Sequence, residues 1–317
     1  MQKRVCAVLV TYNRLNCLKK VIQGLDSQSY KLSGIFIFDN QSTDNTDSYL
    51  LANGFNKIES ETEEIQDGKY FFRNNENIGG AGGFSKAIDL INKLSDFDYI
   101  WIMDDDVYPE NNCLEKLMGQ LEKQNVQAVI PNRTDQNYED NACIGIDFSD
   151  FRKFWTWWRK KYASKPLNKE VYVVKDMAFE GPLLEKRLID KVGIPNPGFF
   201  LEYDDSDYAQ RILKYTNIIF VTGAVLHRQL AKKSNSNKKG MEPYNWRFYY
   251  LIRNNIIFDK KYGKNWGVKH ISPNLLMLHH IALSIRDHHL KNNLPIILKA
   301  WTDGRHNRMG KRVNPNY

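Results

Sequence analysis

Short apolar runs alternate with segments of helical periodicity in the first third of the chain. Residues 5–10 (VCAVLV) and residues 35–38 (IFIF) are continuously apolar, which is typical of strands buried on both faces. Between these runs, apolar residues recur at the three- and four-residue spacing of a helix, from position 15 to position 25. A strand, a helix and a strand in this order predict a parallel pair joined by a right-handed crossover.

The alternation continues towards the middle of the chain. Residues 70–72 predict a third short strand, residues 84–94 a helix, and residues 98–103 a further strand. The predicted fold class is therefore α/β, with a mostly parallel sheet flanked by helices. Polar loops follow the predicted strands at Thr11, Asp39, Asn74 and Asp104. Open α/β sheets bind ligands at the carboxyl ends of their strands, so these loops predict a ligand site.

Three consecutive carboxylates, Asp104, Asp105 and Asp106, come directly after the apolar run at residues 99–103. Three such groups repel one another and cannot all be buried without a counter-charge. A hard divalent cation with oxygen ligands is a suitable partner. The alternative is a solvated acidic loop at the end of a strand.

Composition and charge narrow the class of protein. The chain has 317 residues, 42% of them hydrophobic and 26% charged, which is ordinary for a globular protein. Its net charge of +8 favours an anionic partner, such as a nucleotide, a nucleic acid or an acidic membrane surface. No stretch approaches the roughly 18 apolar residues of a membrane span. The four cysteines show no metal-ligand spacing, and no signal peptide is expected, so a cytoplasmic protein with reduced thiols is predicted.

The second half of the chain is less regular. Residues 151–161 (FRKFWTWWRKK) are basic and aromatic, which suits either a membrane interface or ordinary packing of an irregular insertion. Residues 231–240 are polar and basic and predict a mobile loop or hinge. Residues 244–301 are expected to be mostly helical, and their aromatic side chains make a dimer interface conceivable.

Several sequence blocks together resemble family 2 glycosyltransferases with the GT-A fold. In the first half these blocks are VLVTYNR, FDNQSTDNT, NENIGGAGGF and WIMDDDV. In the second half FFLEYDDSDYAQR, GAVLHRQL, RFYYLIRNN and KAWTDGRHNRMGK resemble the galactofuranosyl- and rhamnosyltransferase branch. The resemblance implies a nucleotide-sugar-binding and catalytic GT-A domain over residues 1–230 and a mainly helical region over residues 231–317.

The resemblance also implies roles for the acidic residues. Asp104 and Asp106 would bind Mn²⁺ or Mg²⁺ with His227 as third ligand, and Asp105 would lie against the sugar or ribose. Asp205 matches the general base that takes the proton of the acceptor hydroxyl, and Asp204 would be a second catalytic residue that holds the sugar or the acceptor. The alternative for Asp204 and Asp205 is that they only cap a helix beginning near position 206. The alternative for His227 is a structural role at the end of a strand.

The remaining implied contacts concern the two substrates. The glycine loop at residues 77–83 (NIGGAGG) precedes a predicted helix and allows close approach of phosphate or sugar. It matches neither the P-loop nor the strict GxGxxG spacing. Asp39 is expected to accept an N–H of uracil or thymine, or else to cap its own loop. The expected donor-binding residues are Thr11, Tyr12, Arg14, Asp39, Asn77, Gly79, Gly80, Asp104 and Asp105. Glu180 and Gly181 are expected to line the acceptor site.

The predicted activity is an inverting, metal-dependent transfer of a sugar from a UDP or dTDP donor. Galactofuranose is the first expectation and rhamnose the second, with a cell-surface polysaccharide precursor, lipid-linked in the leading version, as acceptor. Peripheral contact with the inner membrane face and a homo-oligomer are also considered, and nucleic acid is not expected as a partner. The alternatives are a nucleotidyltransferase, disfavoured because residues 10–16 (VTYNRLN) lack a glycine-rich loop, and a basic nucleic-acid-binding protein.

Overall fold

The computed structural model describes residues 2–136, 138–230 and 242–315. The loop or hinge predicted at residues 231–240 lies outside the described residues.

Strands and helices alternate through most of the chain. The strands are β1 (Val5–Thr11), β2 (Gly34–Asp39), β3 (Asn56–Lys57), β4 (Gly68–Arg73), β5 (Tyr99–Asp104), β6 (Val107–Pro109), β7 (Ala128–Asp135), β8 (Tyr138–Glu139), β9 (Cys143–Ile146), β10 (Lys160–Tyr162), β11 (Val171–Val174), β12 (Leu183–Glu185) and β13 (Ile218–Arg228). The helices are α1 (Leu15–Asp26), α2 (Thr46–Ala52), α3 (Gly79–Leu94), α4 (Cys113–Lys123), α5 (Thr156–Arg159), α6 (Lys186–Val192), α7 (Asp204–Ile212), α8 (Trp246–Tyr262), α9 (Ser272–Arg286) and α10 (Leu290–Arg305). A 3₁₀ turn covers Pro197–Phe199, and a π turn covers Gly267–Ile271.

One mixed sheet organises the fold, in the order β11-β13-β7-β12-β5-β1-β2-β4-β3. Strands β5, β1, β2, β4 and β3 are parallel to one another, and β7 is parallel to β13. The short β12 runs antiparallel between β5 and β7. The predicted α/β class with a mostly parallel sheet is thus confirmed.

The sheet is covered on both faces, which explains the continuous apolar runs of its central strands. In β5, Ile100 and Ile102 face the core that contains α3 and α7, whereas Trp101 and Met103 face the core that contains α1 and α4. Both directions are apolar, so the strand shows no alternation in the sequence.

Helix α3 begins five residues earlier than expected, at Gly79 rather than at position 84. Glycine is a poor helix former, so the sequence favoured a loop there. The structure shows why glycine is used: a Cβ at Gly83 would approach Val10 Cγ1 to 2.7 Å. Close packing of the first turn on β1 therefore outweighs the low helix propensity.

Three helices, α8, α9 and α10, form the end of the described chain, as expected. Buried Tyr249, Ile252 and Ile256 of α8 pack with Phe200 and with Ala300 of α10. No helix among the described residues is long and apolar enough to span a bilayer. The four cysteines are free.

Candidate active site

The carboxyl ends of β1, β2 and β5 meet at one cavity of about 600 Å³. The register pairs Val10 with Asp104 and Thr11 with Asp39, so the loops after these strands start side by side. The cavity lining includes most of the expected site residues, namely Thr11, Tyr12, Arg14, Asn77, Gly80, Asp104, Asp105, Asp106, Glu180, Asp204 and Asp205. Polar groups from distant parts of the sequence therefore converge where an open α/β sheet binds its ligand.

Asp105 is fixed by residues of the first loop. Its Oδ2 accepts a hydrogen bond from Thr11 Oγ1 at 2.8 Å and from the backbone N–H of Tyr12 at 3.3 Å. Arg14 Nη1 lies 2.9 Å from Asp105 Oδ1 and 2.9 Å from Asp106 Oδ2, so one guanidinium bridges both carboxylates. The side chain of Asp105 is consequently the most constrained of the three aspartates.

Crowding perturbs the acidity of the whole cluster. Burial raises the pKa of Asp105 to about 6, even though Arg14 acts in the opposite direction. Burial and then the neighbouring Asp106 and Asp105 carboxylates raise the pKa of Asp104 well above its ordinary value. Burial also raises the pKa of Asp106. A positive charge placed among these groups would relieve both the desolvation and the mutual repulsion.

The donor set suits a hard divalent cation. Asp104 and Asp106 both keep part of their surface open to the cavity, and they offer only oxygen atoms. Within the described ranges, no three acidic, histidine or cysteine side chains are arranged as a complete metal-binding group. The residues present therefore fit a cation that shares its coordination shell with water and a substrate phosphate, as Mg²⁺ commonly does.

The structure does not bring His227 to the aspartates. Its Nε2 lies 3.2 Å from Glu110 Oε1, and its ring stacks on Tyr108 at 5.1 Å. Successive strand residues point to opposite faces, and it is the next residue, Arg228, that lines the cavity. In this arrangement His227 holds β13 against β6, which is the structural role given as the alternative.

Asp204 and Asp205 begin α7 and face the same cavity. Burial raises the pKa of Asp204 to about 7. Burial and the neighbouring Asp204 and Asp176 carboxylates raise the pKa of Asp205 well above its ordinary value, and Lys160 partly opposes this rise. Asp205 Oδ1 accepts the backbone N–H of Ser206 at 2.6 Å. A carboxylate with a raised pKa at the edge of a cavity is suited to accept a proton near neutral pH.

The chain enters α7 through a strained loop. Phe200, Glu202 and Tyr203 all have left-handed backbone angles, with φ of 65°, 65° and 73°. Such conformations are costly for residues other than glycine and persist only where their surroundings impose them. The strain lies immediately before the two catalytic candidates.

Asn254 of α8 imposes this conformation. Its side-chain amide donates to the backbone carbonyls of Phe199 at 3.1 Å, Leu201 at 2.7 Å and Glu202 at 2.9 Å. The adjacent Arg253 donates from Nη2 to the Phe199 carbonyl at 2.7 Å. This pair belongs to the sequence block RFYYLIRNN and ties the C-terminal helices to the loop that carries Asp204 and Asp205.

The glycine loop contacts the same segment from the other side. Gly79 has φ of +78°, and a Cβ there would lie 2.4 Å from the Phe200 carbonyl oxygen. The backbone N–H of Ala81 donates to that oxygen at 3.2 Å. By contrast, Gly80 has open space beside it. Gly79 is therefore a packing residue, and Gly80 leaves room for a ligand.

Two of the expected substrate contacts lie just outside the cavity. The buried Asp39 accepts the Ser42 backbone N–H at 2.8 Å and pairs with Arg73 at 3.2 Å, so it caps its own loop. Burial raises its pKa. Gly181 sits in a buried turn, where a Cβ would lie 2.4 Å from Leu226 Cδ1. Each residue shapes the cavity from behind.

A second cavity of about 520 Å³ adjoins the first. The two share a wall that is formed by Ala178, Glu180, Glu202, Asp205 and Arg228. The second cavity is rich in charged groups, and its lining includes Arg133, Asp140, Trp157, Lys160 and Asp176. Lys160 is paired with Asp176, whose Oδ1 is buried without a hydrogen bond. Charged and aromatic side chains together can bind the hydroxyl groups and the apolar face of a sugar.

Four participants were missed by the sequence analysis, namely Asn40, Asp176, Arg228 and the carbonyl-binding role of Asn254. Asn40 donates from Nδ2 to Asn77 Oδ1 at 3.1 Å and accepts the Ile78 N–H at 3.0 Å, which joins two loops of the first cavity. Its position directly after Asp39, at the carboxyl end of β2, was the available signal. Asp176 and Arg228 carried no comparable signal, because only the folded chain brings them to Asp205.

The open α/β sheet has a cavity at the carboxyl ends of its strands, and carboxylates line this cavity on two sides. This arrangement is typical of transferases that use a sugar nucleotide. The family described as "Glycosyl transferase family 2" matches residues 6–193, which is more than half of the chain. The chain therefore belongs to glycosyl transferase family 2. This confirms the predicted family and favours it over the nucleotidyltransferase alternative.

Two curated relatives come from Mycolicibacterium smegmatis. Galactofuranosyltransferase GlfT1 is 24% identical over 220 residues, covering 66% of this chain and 65% of its own length. Galactofuranosyltransferase GlfT2 is 23% identical over 207 residues, covering 58% of this chain and 30% of its own length. The chain thus spans less than two thirds of either relative.

Solved structures support the fold. GalNAc-T7 with UDP, GalNAc and Mn²⁺ has a TM-score of 0.54 at 15% identity, covering 91% of this chain and 58% of the other. The mannosyltransferase PcManGT from Pyrobaculum calidifontis, in complex with GDP-Man and Mn²⁺, has a TM-score of 0.54 at 14% identity, covering 97% and 88%. These similarities confirm the predicted GT-A fold.

Proposed function

We propose that the chain is an inverting glycosyltransferase that moves a sugar from a UDP or dTDP donor to a hydroxyl of a glycan acceptor. The observation that carries this proposal is the position of Asp205 in the wall between two cavities, with Asp104, Asp105 and Asp106 in only one of them. Donor and acceptor can then approach the same carboxylate from opposite sides.

The cavity of about 600 Å³ is assigned to the donor. Thr11, Tyr12 and Arg14 border the end of the cavity assigned to the nucleoside. Asp39 stabilises the adjacent loop after β2 by accepting the Ser42 backbone N–H. Asn77 and Gly80 flank the start of α3, where backbone N–H groups favour a diphosphate. Thr11 donates a hydrogen bond to Asp105 and so fixes its carboxylate. There the carboxylate can accept a hydrogen bond from a hydroxyl of the ribose or the sugar.

The residues on the acceptor side perform the proton transfer. A hydroxyl in the second cavity donates its proton to Asp205 as its oxygen attacks the anomeric carbon, and the bond to the diphosphate breaks. The raised pKa of Asp205 suits this role. Asp204 contributes negative charge beside it, and Glu180, held by Arg133 at 3.2 Å, orients the acceptor. A single displacement of this kind inverts the anomeric configuration.

Mn²⁺ or Mg²⁺ bound at Asp104 and Asp106 would supply positive charge to the departing diphosphate. Arg14, which bridges Asp105 and Asp106, and Arg228, which lines the same cavity, add fixed positive charge at that end. Removing one stabiliser of developing negative charge typically costs about 3 kcal/mol in the barrier.

Galactofuranose is the proposed sugar, with rhamnose as the alternative, and the proposed acceptor is a cell-surface polysaccharide precursor. The galactofuranosyltransferase relatives support the first choice of sugar. A cytoplasmic location is part of the same proposal.

The test measures transfer from UDP-galactofuranose and, in parallel, from dTDP-rhamnose, with Mn²⁺ and with a chelator. We expect one donor to react, the chelator to stop transfer, and Asp205→Asn to lower the rate by about a thousandfold. Asp26→Asn, at an exposed aspartate paired with Lys69, is the matched control and should leave the rate unchanged. Unimpaired transfer by Asp205→Asn would remove the assignment of the base.

A further inference from the structure

Helix α9 carries apolar residues on its outward face as well as on its buried face. Towards the core the helix presents five buried residues, Ser272, Pro273, Leu276, His280 and Ser284. Towards solvent it presents Leu278, which is 54% exposed, and Ile285, which is 56% exposed. The outward face of a surface helix is usually polar, so the exposed apolar residues on this face of α9 indicate a partner.

The exposed apolar positions form a continuous stripe. The exposed Leu278, Ala282 and Ile285, together with the half-buried Leu275, follow one another at spacings of three and four residues, so they lie along one side of the helix. We call this set the α9 stripe.

Helix α10 widens this surface. Trp301 Nε1 donates to Asn274 Oδ1 at 3.1 Å, and Asn293 Nδ2 donates to Ser284 Oγ at 3.0 Å, so the two helices run antiparallel in a fixed register. The register places Leu298, which is 42% exposed, at the level of Leu278. The α9–α10 hairpin therefore carries exposed apolar side chains on both of its helices.

An exposed tryptophan extends the same surface. Trp158 is 48% exposed, and its ring meets His279 of α9 edge-on at 5.3 Å. Tryptophan is favoured at membrane–water boundaries because its ring is apolar and its indole N–H can remain hydrated. The adjacent Trp157 lines the second cavity, so the hairpin surface continues to the proposed acceptor site.

The C-terminal segment at residues 264–317, which includes the α9–α10 hairpin, accounts for most of the net charge of the chain. Residues 264–317 contain nine Lys or Arg and two Asp or Glu, a net charge of +7 out of +8 for the whole chain. Both acids are paired within the region, Asp287 with Arg286 and Asp303 with Lys299. The exposed Lys291 is left on the outward side of α10.

These observations select one kind of partner. A second copy of the chain would bring a basic surface against an equally basic surface, whereas anionic lipid headgroups supply the opposite charge. Apolar residues on one face of a helix with basic residues beside them are typical of helices that lie in the membrane interface. We propose that the α9–α10 hairpin docks the protein on an anionic membrane surface.

Docking would serve the proposed function, although it does not depend on it. The hairpin surface and the second cavity are joined by the pair Trp157–Trp158, so docking would set that cavity beside the lipid headgroups. A lipid-linked acceptor would then reach Asp205 from the membrane side.

The experiment is co-sedimentation with vesicles of phosphatidylcholine alone and of phosphatidylcholine with phosphatidylglycerol. We expect the protein to bind the anionic vesicles and binding to weaken as salt is raised. Leu278→Glu should weaken binding at least about tenfold, because it removes a leucine side chain that docking would bury in the membrane interface. Lys291→Gln should weaken it about fivefold on anionic vesicles only. The control is Leu51→Glu, because Leu51 on α2 is equally exposed, at 55%.

The outcomes separate this proposal from the others. Absence of binding to anionic vesicles, or equal loss in Leu278→Glu and Leu51→Glu, would overturn it. A dimer in sedimentation equilibrium that Leu278→Glu converts to a monomer would show that a second copy covers the surface, and would also overturn it. Unchanged circular dichroism confirms that each variant is folded. Vesicle binding requires no sugar transfer, so failure of the proposed function would leave this result intact.

Discussion

Replacing Asn254 with alanine should release the loop that carries the proposed base. The side-chain amide of Asn254 contacts three backbone carbonyls, and Phe199 retains a second donor in Arg253. The carbonyls of Leu201 and Glu202 would lose this donor. At about 1 kcal/mol for each hydrogen bond, Asn254→Ala should lower the free energy of unfolding by about 2 kcal/mol.

The catalytic effect should exceed the loss of stability. The left-handed residues before α7 would relax towards ordinary backbone angles once the amide is gone, and Asp205 would move with them. A displacement of about 1 Å can cost about a hundredfold in rate. We therefore expect kcat to fall between about tenfold and a hundredfold at a temperature where the variant remains folded.

Urea unfolding and initial transfer rates at saturating donor measure the two effects separately. Asn292→Ala, at an exposed asparagine of α10, is the matched control and should change neither. A destabilised Asn254→Ala variant with the kcat of the parent protein would refute the positioning role. Unchanged stability would refute the hydrogen-bond argument itself.

Further predictions concern the glycine loop and the acidity of the base. Gly79→Ala should destabilise the fold by about 2 kcal/mol or more, because its Cβ would lie 2.4 Å from a carbonyl oxygen at φ +78°, whereas Gly80→Ala should be nearly neutral in the same urea experiment. Asp204→Asn removes a charge that raises the pKa of Asp205, so the acid limb of the pH–rate profile should move to lower pH. Lys160→Met removes a charge that lowers the pKa of Asp205, so the acid limb should move to higher pH. Equal profiles for the two variants would contradict this electrostatic account. Because the pKa of Asp204 is about 7 in the folded protein and 3.8 ordinarily, the unfolded chain releases this proton first, and stability should fall as the pH rises through that window. Asp204→Asn should flatten that part of the pH dependence of the urea midpoint.

The central strands could be predicted from sequence because burial on both faces makes each of them a continuous apolar run up to its polar last residue. The acidic residues could be predicted because each group is contiguous, at the end of β5 and at the start of α7. Resemblance to a family then indicated which group would bind the donor and which would act as the base. Local sequence was sufficient wherever a function belongs to neighbouring residues.

Features that depend on the folded chain could not be predicted. The direction of His227 follows from a shift of register in β13 between Val221 and Val225, which changes the face to which later side chains point. The three-residue β12 is too short to show a period, and its antiparallel course is set by its neighbours. The role of Asn254 arises from carbonyls about fifty residues earlier, which no local pattern reveals.

The shared wall between the two cavities has a consequence for the side reactions of the protein. Asp205 faces the space of about 520 Å³ whether that space holds a sugar or only solvent. Without an acceptor, a water molecule can occupy the position of the attacking hydroxyl and lose its proton to the same carboxylate. We therefore expect slow release of free sugar from the donor in the absence of acceptor, suppressed when acceptor fills the space and removed by Asp205→Asn. On the proposed mechanism, the fit of the acceptor into this cavity sets how much of the donor is lost to hydrolysis.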